Sequence, residues 1–191
     1  MLRITAGIYK GRTLKSPATA ATHPMGSREK LALFNTLVSL FSSSNASGGS
    51  LSAVENVLDC FCGSGALGLE ALSRGAKKVV FVDKNIDAVK TTKDNIAALN
   101  ISDCSEVIKS DVLKISSSPS FRQKFDLILA DPPYNAFPNV LSPLADLLTE
   151  NGVLVLSHPN STNPADIFPD LELLSAKSYA SANLSFFRRK A

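Results

Sequence analysis

Two stretches of this 191-residue chain combine residue types at spacings that can do chemistry. The first, Val57-Leu58-Asp59-Cys60-Phe61-Cys62-Gly63-Ser64-Gly65-Ala66-Leu67-Gly68, is an apolar strand-like run that breaks into glycines and resumes as a helix. The second, Asp131-Pro132-Pro133-Tyr134, closes another apolar run with a rigid turn rich in hydrogen-bond acceptors. The first suits a ligand whose charged part lies against a helix N-terminus; the second suits a planar amine.

Glycines 63, 65 and 68 let the backbone turn sharply and come close to a ligand, and the helix that follows offers free N–H groups. A glycine pattern alone is weak, but here it lies between strand and helix. Asp83, at the end of the next apolar run, is placed to hydrogen-bond a ribose diol. These features indicate a nucleoside-containing ligand and fit NAD as well as S-adenosylmethionine. Asp59 separates the two: a carboxylate just before the loop repels a pyrophosphate and favours the ammonium of a methionine moiety. Asp111, ending the third strand, is then positioned to meet the exocyclic amine of the adenine.

In the second stretch, the two prolines hold Asp131 and Pro132 extended and remove two backbone donors, leaving carbonyls and a carboxylate. The Asp131 carboxylate and the Pro132 carbonyl can hold both hydrogens of an amine while Tyr134 stacks on the attached ring. A conjugated amine is a poor nucleophile, so catalysis lies in orienting it in line with the sulfonium methyl. The nitrogen becomes acidic after transfer, so Asp131 or water takes the proton and no histidine is required. His23 and His158 are therefore read as structural or surface residues. A cytosine C5 mechanism would need a cysteine nucleophile, whereas Cys60 and Cys62 belong to the loop.

Positioning these groups requires alternating strands and helices. Strands are expected over 54–60, 78–83, 106–109, 125–130 and 153–157, with helices over about 66–73, from a cap at Asn85, and over about 140–149. A closing strand pair is expected over 171–178 and 183–187, and Gly75 is placed as the C′ residue of the helix over 66–73. The alternation implies an α/β, doubly wound, parallel sheet. Ahead of it, residues 2–6 and 8–14 read as a hairpin-like unit. Ser27 is expected to cap a helix with an apolar face of Leu31, Phe34, Leu37, Val38 and Phe41. The predicted organisation is a basic N-terminal extension over 1–41, a flexible Ser/Gly linker over 42–53 and a catalytic domain over 54–191.

Hydrophobic residues make up 45% and charged ones 19% of the chain. No apolar run is long enough for a membrane span, and Arg3, Lys10 and Arg12 interrupt any signal-like start, so a cytoplasmic protein is expected. Cys60, Cys62 and Cys104 form no framework, and neither disulfides nor a metal site is expected. The net charge of +3 is uneven: Arg3, Lys10, Arg12, Lys15, Arg28 and Lys30 face only Glu29 within residues 1–41, and Arg188, Arg189 and Lys190 end the chain. Such ends suit a polyanion. Arg28 and Lys30 in a first helical turn oppose the helix dipole, which an outside anion would relieve.

Taken together, residues 57–76, 80–85 and 131–134 resemble the bacterial RsmD family, S-adenosylmethionine-dependent 16S rRNA guanine-N2 methyltransferases. Ile4-Thr5-Ala6-Gly7-Ile8-Tyr9-Lys10-Gly11-Arg12 is similar to that family's opening and Leu33-Phe34-Asn35 to the end of its N-terminal helix motif. Before this helix the family usually reads Arg-Pro-Thr and then Asp-Arg-Val-Arg-Glu, where this chain has His23-Pro24-Met25-Gly26-Ser27-Arg28-Glu29-Lys30-Leu31. The resemblance implies a class I methyltransferase fold with a mostly parallel seven-stranded sheet. It also implies catalytic residues Asp131, Pro132, Pro133 and Tyr134 and a cofactor set of Asp59, Cys60, Gly63, Ser64, Gly65, Asp83, Lys84, Asp111 and Val112. The RNA-binding residues are then Arg3, Lys10, Arg12, Lys15, Arg28 and Lys30, and the expected partner is small-subunit rRNA within a 30S particle or assembly intermediate, bound by a monomer. The Asp-Pro-Pro-Tyr turn is shared with adenine-N6 and glutamine-N5 methyltransferases. An NAD-dependent oxidoreductase would leave that turn unexplained, and a non-catalytic RNA-binding assembly factor would not need an intact loop.

Overall fold

The computed structural model describes residues 2–17, 25–42, 50–118, 121–134, 141–179 and 183–190. Strands β1 (Asn56–Cys60), β2 (Lys78–Asp83), β3 (Ser105–Lys109), β4 (Phe125–Ala130), β5 (Leu148–His158), β6 (Leu171–Ser178) and β7 (Asn183–Arg189) form one sheet in the order β3-β2-β1-β4-β5-β7-β6. The first five in that order run parallel, and β7 lies antiparallel between β5 and β6. This is the expected doubly wound sheet, whose order reverses at β1, where ligands of open α/β sheets bind.

Strand residues alternate between two core layers because successive side chains leave a strand on opposite faces. Val57, Phe81, Leu127 and Val155 pack under α1 (Ser27–Phe41), α2 (Ala66–Ser73) and α3 (Ile86–Leu99). Leu58, Val80, Ile128 and Leu154 pack on the other side with α4 (Val112–Ser116), α5 (Pro143–Asp146) and the segment around Phe168, which follows α6 (Pro164–Ile167).

Several expectations are corrected. The helix expected over 140–149 is α5 alone; residue 140 lies outside the described residues, and Leu148 already pairs with Phe125 as the start of β5. The cap of α1 is Gly26, not Ser27, because the Glu29 side chain bends back to accept from the Gly26 N–H at 2.9 Å. Its buried stripe is Lys30, Leu33, Phe34 and Leu37, leaving Leu31 42% exposed. Residues 2–14 form a hairpin-like loop with a single Arg3–Thr13 bridge rather than two strands. Gly7 (φ +81°) is obligatory there, since a Cβ would stand 1.7 Å from the Ser73 carbonyl oxygen. Of the expected linker, 43–49 lie outside the described residues. Its end is tied down: Leu51 is buried and its N–H donates to the Arg74 carbonyl.

Candidate active site

The sheet register builds the site. Cys60 pairs with Val82 on one side and Ala130 on the other, and Ala130 pairs with Leu156. The chain therefore leaves four neighbouring parallel strands at one level, bringing the glycine loop, Asp83, Asp131 and Ser157 to the same edge.

In the loop, Phe61 (φ +57°) takes a left-handed conformation unusual for a bulky residue. Gly63 (φ +56°) and Gly65 (φ +77°) turn the chain into α2. A Cβ on Gly63 would meet only the Phe61 carbonyl at 3.9 Å, so that face is open to a ligand, whereas a Cβ on Gly68 would stand 2.4 Å from the Phe81 ring. Gly68 thus serves helix–strand packing rather than ligand approach.

Asp59 is 1% exposed and its Oδ2 accepts from the Gly68 N–H at 2.8 Å, so the carboxylate lies beneath the N-terminus of α2. Burial pushes this carboxyl well up; the Gly68 bond opposes it, and the charges of Asp131 and Asp83 add to it. Asp83 Oδ2 accepts from Gly63 N at 2.9 Å and Oδ1 from Asn85 N at 2.8 Å, fixing a half-buried carboxylate beside the loop. Asp111 caps α4 by accepting from Leu113 N at 3.1 Å. Ser64 and Val112 are buried, and Lys84 is exposed. Cys60 is fully buried and its thiol pushed up by burial, so it can offer a ligand only backbone atoms.

Two residues that sequence reasoning missed hold the loop from behind. The Thr92 hydroxyl donates to Gly63 O at 3.0 Å, and Asn95 Nδ2 donates to Ser64 O at 2.9 Å and to Lys15 O at 3.0 Å. Both are buried polar residues on α3, and their signal is a polar pair at i, i+3 on an otherwise apolar face.

At the turn, Asp131 is half-buried and Tyr134 is 37% exposed. The Tyr134 hydroxyl lies 2.5 Å from the Ser157 hydroxyl, and Ser157 and Asp131 line one small crevice. Burial raises the Asp131 carboxyl to about 6; the nearby Ser157 hydroxyl opposes this, and the charge of Glu29 adds to it. Burial also pushes the Tyr134 phenol up to about 12. Met25, just before α1, and Leu33, on it, line a small crevice with Asp131 and Ser157, bringing the start of α1 to the site. Ser157 carries no motif and was missed.

His158 is buried, with Nε2 at 2.9 Å from the Ser185 hydroxyl and Nδ1 at 3.0 Å from the Pro159 carbonyl, a structural arrangement. His23 and Pro24 lie outside the described residues.

The basic set divides. Arg3, Lys10, Arg12, Lys15 and Arg28 are exposed. Arg12 donates to Ala98 O at 2.7 Å, and Lys15 pairs with Asp94 at 2.8 Å. Lys30 is a correction: it is 1% exposed, donating to Arg3 O at 2.6 Å and lying 3.3 Å from Glu70, so it cannot reach RNA. The anion that relieves its place in the first turn of α1 is internal. At the other end, Arg189 donates to Ala145 O and Lys190 to Pro169 O, so part of that charge is held by backbone carbonyls.

The family described as conserved hypothetical protein 95 matches residues 2–188. The chain is 32% identical to ribosomal RNA small subunit methyltransferase D of Haemophilus influenzae, over 93% of this chain and 84% of that one. It is 29% identical to the putative rRNA methyltransferase YlbH of Bacillus subtilis, over 99% and 100%. A solved putative methylase from Haemophilus influenzae superposes with a TM-score of 0.75 at 27% identity, covering 100% and 99% of the two chains. A match over nearly the whole length, on a fold with the loop and turn at one sheet edge, makes the chain a member of the RsmD family of methyltransferases.

Proposed function

We propose that the protein transfers a methyl group from S-adenosylmethionine to the exocyclic N2 amine of a guanine in 16S rRNA, acting as a cytoplasmic monomer on a 30S particle or assembly intermediate. One observation carries this reading: the acceptor-only turn at Asp131 leaves the sheet beside the glycine loop, because Cys60 and Ala130 are register partners. The resemblance of the N-terminal segment favours guanine in rRNA over the amines of other proteins with this turn.

The residues suit the cofactor. Asp83 retains acceptor lone pairs for a ribose diol, the open face at Gly63 admits a close approach, and Asp111 stands at the next strand end. Asp59 already occupies the Gly68 N–H, which is then not free for a diphosphate at that helix N-terminus, so NAD fits poorly. When bound, S-adenosylmethionine supplies an electrophilic methyl on a sulfonium.

Every other step belongs to the chain. Asp131 accepts one hydrogen of the amine and the Pro132 carbonyl the other, which aims the nitrogen lone pair. Tyr134 offers a ring face for the guanine to stack on. Asp131, ionised above about pH 6, or water takes the proton released by the methylated nitrogen. Exposed Arg3, Lys10, Arg12, Lys15 and Arg28 make residues 1–41 the RNA-engaging part.

The test is to incubate the protein with labelled S-adenosylmethionine and undermethylated 30S particles and map the label. Label on guanine N2 is expected. Label on adenine or on a protein glutamine, with none on guanine N2, refutes the substrate assignment.

A further inference from the structure

Ser157 has no place in either motif, yet the register delivers it to the site. Asp131 follows Ala130, Ser157 follows Leu156, and Ala130 and Leu156 are partners in adjacent parallel strands. Ser157 is 2% exposed, its hydroxyl lies 2.5 Å from that of Tyr134, and it lines one small crevice with Asp131.

A serine hydroxyl can donate one proton and also accept, so Ser157 can bond the Tyr134 hydroxyl on one side and meet the neighbouring Asp131 carboxyl on the other. The tyrosine is held at its far end while its ring remains 37% exposed. The Ser157 hydroxyl also favours the charged form of the Asp131 carboxyl, against its burial.

We propose that Ser157 is a positioning residue: its hydroxyl, set between Tyr134 and Asp131, locks the stacking ring and aims the carboxylate that holds the amine. The inference rests on the methyl-transfer reading above. It extends that reading to a residue outside both motifs. Pre-organisation of this kind removes ordering cost from the reacting complex.

Ser157→Ala and Tyr134→Phe, alone and together, test it; the second breaks the chain from its exposed end without altering the buried strand. Ser157→Ala is expected to lower the single-turnover rate on undermethylated 30S particles about tenfold, as for loss of a bond to a charged group. Binding of S-adenosylmethionine and half-saturation by 30S stay unchanged, and adding Tyr134→Phe costs little more. A second readout needs no substrate. With carboxyl-labelled aspartate, the Asp131 resonance, identified by its loss in Asp131→Asn, titrates near about 6 in the wild type and higher in Ser157→Ala. An unmoved titration, or rate losses that multiply in the double variant, overturns the proposal. If the wild-type protein methylates no guanine N2, the functional reading fails, while the titration still decides whether Ser157 controls Asp131.

Discussion

The Lys30 ammonium lies 3.3 Å from the Glu70 carboxylate, with the two side chains 1% and 0% exposed. Glu70 also accepts from Thr5 N, Thr5 Oγ1, Ala6 N and Arg74 Nε, at 2.6 to 3.0 Å. Arg74 in turn stands 5.0 Å above the Phe34 ring. One carboxylate thus fastens the N-terminal segment and α1 to α2, the helix that begins in the glycine loop.

Removing Glu70 leaves two cations buried without it. Glu70→Ala should cost about 3–5 kcal/mol in urea unfolding, the usual penalty for breaking a buried pair from one side. Burial opposes the Glu70 charge, but the Thr5 bonds, Lys30 and Arg74 outweigh it and lower its pKa. Its stabilisation is therefore full above the ordinary glutamate range and is lost as pH falls through the lowered value. Wild type should lose stability over that acid range and Glu70→Ala should not.

Asp131 has the opposite sign. Its pKa is raised to about 6, so the folded state binds the proton more tightly and stability falls as pH rises from the ordinary aspartate value to about 6. Asp131→Asn is expected to unfold at a higher temperature than wild type at pH 8 while losing methyl transfer by on the order of 10²–10³-fold. Wild-type turnover should fall below about pH 6, and Glu29→Gln, by removing a charge that raises Asp131, should move that limb lower.

Salt dependence separates surface from buried cations. Arg28→Ala should reduce the slope of log K against log salt for RNA binding by about 0.7–0.9, one phosphate contact. Lys30→Met should leave that slope unchanged and lower stability instead, because Lys30 is enclosed by Arg3 O and Glu70.

Gly68→Ala should be destabilising by about 1–3 kcal/mol, since its Cβ would overlap the Phe81 ring and lift α2 from β2. A melting curve without any ligand reads this, distinguishing a packing glycine from a ligand-contacting one.

Features that depend on neighbours in sequence could be read from the sequence alone. Apolar runs ending in Cys60, Asp83 and Ala130 form strands close to the expected bounds; glycines 63 and 65 take positive φ; Asn85 caps α3, accepting from Asp87 N. Backbone sterics, period and capping are local, so local sequence specifies them. Charge type was legible too, but not burial: Lys30 reads as one of six N-terminal cations, and only the packing of α1 on α2 gives it Glu70 as a partner 40 residues away. Asp59 reads as a ligand-facing acid, and its burial beneath Gly68 depends on how α2 docks.

What the sequence determined, then, was the inventory of strands, loop, turn and charges, because these follow from short-range geometry and residue chemistry. Only the tertiary structure decided which of them meet. The pairing of Ala130 with Leu156 sets Ser157 beside Asp131 and Tyr134, and the contact of Lys30 on α1 with Glu70 on α2 removes Lys30 from the surface. Both outcomes depend on strand register and helix packing between residues far apart in the chain, which no local pattern encodes.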